Sequence, residues 1–284
     1  MKVAVTGASG YLGGTLVQRL QGSDVMILAI AGPSGADLGP RVDTVWHKHV
    51  SVDTTTDVIS AFQPDAVIHC ANYYTLQRDQ QSIEKMWLVN FELPTKIAEI
   101  CVNQPLHFIN LGSYFQYQGP GGTIPNSTYA ETKQATSQHL STLRKTGCLS
   151  LSDLVIYDVY GPNDPRNKLI PNVISSLRSG NSMLIRAPRS ELNLVYLNDA
   201  VQAVILVLFE HLFGKFSVSS PINRTVREIV NALEKISGVT SNFEFNDDAP
   251  IATPDLNVAP LVPGWRSDVS LEEGLTTCWE LRRT

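Results

Sequence analysis

Cysteine, charge and long apolar runs are all scarce in this chain of 284 residues. Its four cysteines (Cys70, Cys101, Cys148, Cys278) are scattered, with no CxxC pair and no His/Cys cluster at metal-ligand spacing. That argues against a disulfide framework and against a metal site, and leaves reduced thiols in a cytoplasmic protein as the expectation. Charged residues make up 17% of the chain, the net charge is −5, and no basic run stands out. Nucleic acid is therefore not an expected partner. The longest apolar stretch, 200–209, is interrupted by Gln202 and too short to span a bilayer, so no membrane partner is expected either. Strand-like sequence starts at residue 3, which leaves no room for a signal peptide. Repeats and low-complexity segments are also missing.

What is present is an alternation. Apolar, strand-like runs at 3–5, 25–30, 66–69, 107–111 and 149–155 are separated by helical patterns at 15–20, 55–62, 82–103 and 129–146. Such a sequence predicts an α/β fold, a Rossmann-type doubly wound parallel sheet with right-handed crossovers. The second half changes character at Gly161-Pro162-Asn163-Asp164-Pro165. Turn-rich pieces there surround helical stretches at 170–177, 200–210 and 225–237, and a last helix at 271–281 follows a Ser270 cap. The expected organisation is a dinucleotide-binding domain over 1–155, with a later contribution near 190–212, and a smaller substrate lobe built mainly from 156–284.

The first strand runs straight into Thr6-Gly7-Ala8-Ser9-Gly10-Tyr11-Leu12-Gly13. Gly7 suits a turn with positive φ, Gly10 lets backbone approach a pyrophosphate, and Gly13 lets the helix pack hard on the strand. The helix N-terminus offers unpaired N–H groups to the phosphates. Chemistry is suggested by three residues further on. Ser113 follows the 107–111 strand and so lies at the rim of the sheet. Tyr129 and Lys133 are four apart at the start of a helical pattern and share one face. A phenol is a poor acid–base group at neutral pH unless a cation steadies its phenolate, and a lysine one turn away supplies one. With the Ser113 hydroxyl on the same oxygen, the trio suits interconversion of a ketone and a secondary alcohol beside a nicotinamide.

These segments resemble the extended short-chain dehydrogenase/reductases, in the nucleotide-sugar epimerase/dehydratase/reductase group. The resemblance also rests on Asp65-Ala66-Val67-Ile68-His69-Cys70-Ala71-Asn72, on Asn90, on Val159-Tyr160-Gly161-Pro162, on Val195-Tyr196-Leu197-Asn198-Asp199, and on Pro263-Gly264-Trp265 with Leu271-Glu272-Glu273-Gly274. It covers nearly the whole chain. It implies catalytic roles for Ser113, Tyr129 and Lys133, and a cofactor site of Gly7, Ser9, Gly10, Tyr11, Leu12, Gly13, Cys70, Ala71, Asn72 and Asn90. It implies substrate contacts from Tyr73, Tyr114, Asp158, Arg166 and Lys168, and a homodimer through helices 82–103 and 129–146.

Departures from the family pattern narrow the reaction. The acidic residue usual at the end of the second strand falls near Ala29, and none follows directly. With Ser34 or Arg41 able to meet a 2′-phosphate, NADP(H) is favoured, NAD(H) remaining possible. Tyr114-Phe115 occupy the positions of the dehydratases' acid pair, so water elimination is not expected. The resemblance is then greatest to bacterial 4-ketoreductases of the CDP-abequose and CDP-paratose synthase type, which act on nucleotide-linked 4-keto-6-deoxy or 3,6-dideoxy hexoses. A 4-epimerase with tightly bound NAD is the alternative, and a non-catalytic NADP(H) sensor the third reading.

Overall fold

The computed structural model describes residues 1–32, 43–102, 104–118 and 125–281. In chain order, β1 (Lys2–Thr6), α1 (Tyr11–Leu20), β2 (Met26–Ala31), β3 (Thr44–Lys48), α2 (Val52–Phe62) and β4 (Ala66–His69) form the first half of a sheet. Next come α3 (Gln80–Trp87), a π-helical turn (Leu88–Glu92), α4 (Leu93–Ile100), β5 (His107–Ser113), α5 (Thr128–Lys145) and β6 (Ser150–Ile156). The remainder is β7 (Asp158–Tyr160), α6 (Leu169–Ser179), β8 (Leu184–Ile185), β9 (Glu191–Leu192), β10 (Leu194–Tyr196), α7 (Leu197–Phe209), β11 (Gly214–Val218), β12 (Arg224–Thr225), α8 (Val226–Ser237), β13 (Glu244–Phe245) and α9 (Leu271–Leu281).

Seven strands make one parallel sheet in the order β11-β6-β5-β4-β1-β2-β3. Strand order reverses between β1 and β4, and ligands in such sheets bind beyond the carboxyl ends at that point. The central strands are apolar on both faces because helices cover both. Val3, Val5, Leu16, Val17, Ile68 and the α7 residues Val201 and Val204 fill one side. Ala4, Leu28, Val67, Ile97, Phe108 and Leu140 fill the other. A third cluster, with Ile170, Ile174, Ile229 and Leu233, stands apart under α6, α8 and α9.

The doubly wound parallel sheet is as the alternation predicts, and four local differences have physical reasons. Helix α1 starts at Tyr11 rather than 15, directly on the glycine turn. β3 is absent from the expected strands because it is an edge strand, half-exposed and carrying His47 and Lys48. β11 extends the sheet from the second half of the chain, beside β6. The 82–103 helix is three pieces, α3, the π turn and α4. Asp199 ties the C-terminal tail down: its buried carboxylate accepts from Ser267 Oγ and from the N–H groups of Asp268 and Val269, each at 3.0 Å, while its carbonyl accepts from Trp265 Nε1 at 2.9 Å. Ser270 caps α9 as expected, accepting from the Glu273 N–H at 3.3 Å.

Candidate active site

The site is assembled at the carboxyl rim, beginning with backbone. Gly7 has φ +66°, and a Cβ there would lie 2.6 Å from the Ala71 nitrogen. At Gly13 a Cβ would lie 2.3 Å from the Gly7 carbonyl oxygen. Each position therefore excludes every side chain, for different reasons, and the turn folds flat against α1. Gly10, at the cap position of α1, provides no side-chain cap. The first N–H groups of α1 therefore receive no side-chain cap from Gly10, as suits an anion-binding terminus. This cradle fits the pyrophosphate of a dinucleotide. Cys70 packs behind it, with its Cβ 3.3 Å from the position a Gly13 Cβ would take, and burial pushes its thiol up to about 12. The Ala71 N–H donates to Thr6 Oγ1 at 3.3 Å, and the Gly32 N–H donates to Ser9 Oγ at 3.3 Å. Half-buried Leu12 packs on the core beneath the turn.

The trio comes together from β5 and α5. Ser113 ends β5, and Tyr129 and Lys133 lie on one face of α5. Burial pushes the Tyr129 phenol up to about 12, while hydrogen bonding with Ser113 and Asn72 pulls the other way. Lys133 is buried, donates from Nζ to the Leu111 carbonyl at 3.0 Å, and is pushed down to about 8 by desolvation. Asn72 thus stands at the Tyr129 phenol.

The facing wall is aromatic and charged. The Tyr74 ring meets Tyr129 edge-on at 5.1 Å between centroids, and Phe115 does so at 6.1 Å. Lys168 Nζ lies 5.4 Å from the Tyr74 ring and 5.8 Å from that of Phe115. Burial raises Asp158 above the usual carboxylate range, opposed by Lys168, by a hydrogen bond from Tyr114 Oη at 2.8 Å, and by Arg166.

Several expected residues prove to be one step away from this wall. Successive residues of an extended segment point to opposite sides, and Tyr73 turns away, its ring under Lys85 Nζ at 4.5 Å. Tyr74 takes its place. Likewise Tyr114 is buried, stacked on Tyr157 at 4.9 Å with its hydroxyl committed to Asp158, and Phe115 is the residue facing Tyr129. Asn90 is fully buried in the π turn, its amide taken up by main chain. Its Oδ1 accepts from the Tyr73 N–H and its Nδ2 donates to the Tyr73 carbonyl, both at 2.8 Å. Arg166 is not free for a pyrophosphate: Nε and Nη2 grip Asp164, each at 2.7 Å, and Nη2 also donates to the Val159 carbonyl. Its guanidinium lies 4.7 Å over the Tyr11 ring, whose hydroxyl donates to the Pro162 carbonyl at 3.1 Å. Arg166 and Tyr11 latch the 158–166 segment onto α1.

The position counted to Ala29 is inside β2, paired with Val5, and the strand ends at Ala31-Gly32, still without a carboxylate. Ser34 and Arg41 lie outside the described residues. Among the described residues no helix is long and apolar enough to cross a membrane.

The family model described as the NAD dependent epimerase/dehydratase family matches residues 3–215. Similar proteins include the CDP-abequose synthase of Yersinia pseudotuberculosis, 25% identical over 83% of this chain and 84% of that protein. The UDP-glucose 4-epimerase of Mycolicibacterium smegmatis is 25% identical over 100% of this chain and 99% of its own. Among solved structures, the UDP-glucuronic acid 4-epimerase from Bacillus cereus in complex with NAD superposes with a TM-score of 0.85 at 20% identity, covering 99% of this chain and 98% of that one.

Proposed function

Since the chain belongs to the NAD dependent epimerase/dehydratase family, we propose that it interconverts an alcohol and a ketone at C4 of a nucleotide-linked hexose. The observation that carries this reading is the Tyr129 phenol beside Ser113 and Asn72, with Lys133 buried one turn along α5 and donating to the Leu111 carbonyl. A dinucleotide in the Gly7–Gly13 cradle would supply or accept the hydride. The protein's own part is the proton and the geometry. In the reducing direction Tyr129 gives its hydroxyl proton to the sugar oxygen as carbon accepts the hydride, and in the oxidising direction it takes that proton back. Ser113 donates to the same oxygen, and Asn72 steadies the phenolate left behind. Lys133 contributes its charge and its reach toward a ribose. Tyr74, Phe115, Asp158 and Lys168 form the sugar side.

Two reactions share this step. In 4-epimerisation the dinucleotide stays and the ketone is reduced from its other face, and the full-length likeness to UDP-glucose 4-epimerase supports that outcome. In 4-ketoreduction the dinucleotide leaves after each turnover. The likeness to CDP-abequose synthase supports this second outcome, as does the Ala31-Gly32 strand end, which has no carboxylate to repel a 2′-phosphate. NADP(H) goes with the second and retained NAD with the first.

Purified protein is to be assayed with 4-keto sugars and their 4-hydroxy counterparts on CDP, dTDP, GDP and UDP, following NADPH loss and assigning products by NMR. Turnover without added dinucleotide, together with copurifying NAD, selects the epimerase; stoichiometric NADPH consumption selects the reductase. Tyr129→Phe should abolish either while leaving dinucleotide binding nearly intact. Activity retained in that variant sinks the proposal.

A further inference from the structure

Below the reacting trio lies a buried carboxylate that the chemistry above does not use. Asp153 is in the middle of β6 and 4% exposed, paired in register with Asn110 of β5. Asn110 Nδ2 donates to its Oδ1 at 2.7 Å, and Ser137 Oγ of α5 donates to its Oδ2. Ser137 is one turn beyond Lys133 on the same helix face. Asn110 immediately precedes Leu111, whose carbonyl receives the Lys133 ammonium. The two elements that hold the cation thus also hold the carboxylate, α5 one turn further on and β5 one residue earlier.

We propose that Asp153 is a positioning residue that keeps the Lys133 ammonium charged at its buried post, held there by Asn110 and Ser137. The inference rests on Lys133 acting as a cation in the proposed reaction. A lysine taken out of water neutralises unless an opposite charge accompanies it. The titratable groups around Lys133 are Asp153 from β6, His69 and Cys70 at the end of β4, and Tyr129 one turn earlier on its own helix. Burial drives His69 down to about 3 and Cys70 up to about 12, so both are neutral near pH 7. Asp153 is the largest influence opposing the desolvation of Lys133. Packing alone would be served by an apolar residue at 153, with no need of two polar partners from neighbouring elements.

Asp153→Asn removes the charge and keeps the shape, with its amide oxygen still able to accept from Asn110 Nδ2 and its amide nitrogen able to donate to the Ser137 hydroxyl, which then accepts. Urea midpoints are to be measured from pH 6 to 10, alongside the pH profile of turnover. A lysine with a lowered folded-state pKa binds its proton better in the unfolded chain. Its contribution to stability therefore rises with pH between the folded value, about 8, and the unfolded value of about 10.4. In Asp153→Asn that rise should begin about one pH unit lower or more, and the alkaline limb of turnover should move the same way. Lys133→Met should remove the rise in either background, which assigns it to Lys133. An unchanged onset in Asp153→Asn overturns the proposal. If Asp153→Asn does not fold, the double variant Asp153→Asn/Lys133→Met should fold, because the uncompensated ammonium is gone; a double variant that also fails to fold overturns it. The stability measurement needs no substrate, so its outcome stands apart from the Tyr129→Phe test.

Discussion

Across the rim of the sheet, the wall made by β1 and α1 presents backbone, whereas the wall opposite presents side chains. On the first, two glycines are excluded from carrying any Cβ by contacts of 2.3 and 2.6 Å with main-chain atoms. On the second, Tyr74, Phe115, Asp158 and Lys168 come from separate segments and meet around Tyr129. A backbone site accepts one shape and tolerates no substitution. A side-chain site is adjustable residue by residue.

The strongest way to break this contrast is at Gly13. Gly13→Ala should destabilise the protein by about 3 kcal/mol and remove dinucleotide binding, because the obstructing atom is a carbonyl oxygen that cannot swing aside. Urea denaturation and a dinucleotide titration check both effects, and a stable variant that still binds would refute the backbone account. On the opposite wall, Asp158→Asn should leave dinucleotide affinity unchanged and alter KM for the nucleotide sugar by about tenfold, the scale of one hydrogen bond to a charged group. Because burial raises Asp158, the wild-type KM should change as pH falls into its titration range, and the variant should be flat there. The smallest effect belongs to Tyr114→Phe. Losing its hydrogen bond to Asp158 removes an influence that favours the carboxylate, so the acidic limb should move upward, with little change at pH 8. A downward shift would show that Tyr114 does not support the charged form.

Legibility in the sequence follows the same divide. Gly7 and Gly13 were readable because the conformational demand is local: a strand, a turn and a helix within a dozen residues. Tyr129 and Lys133 were readable because helical spacing places them on one face. The facing wall was read one residue off at both Tyr73 and Tyr114, since side-chain direction in short non-helical segments depends on register with distant partners. Arg166 looked like a free cation because its partner is Asp164, two residues earlier in a loop whose path the sequence does not specify. Asp153 gave no signal, because a lone acid in an apolar run acquires meaning only when Asn110 and Ser137 are brought to it.

Helix phase explains the last of these surprises, Asn90. Every fourth residue from Ser82 to Ala98 is inside: Ser82, Met86, Asn90, Pro94 and Ala98. A regular α-helix gains about 40° per such step and would soon turn this row out to solvent. The π turn at Leu88–Glu92 is wound more slowly and takes up part of the drift. It works as a phase corrector, and the angle it sets points the Asn90 amide at the main chain of Tyr73. Deleting one residue within the turn would restore ordinary winding, swing that amide away, and loosen the segment after β4 that carries Asn72 to the Tyr129 phenol.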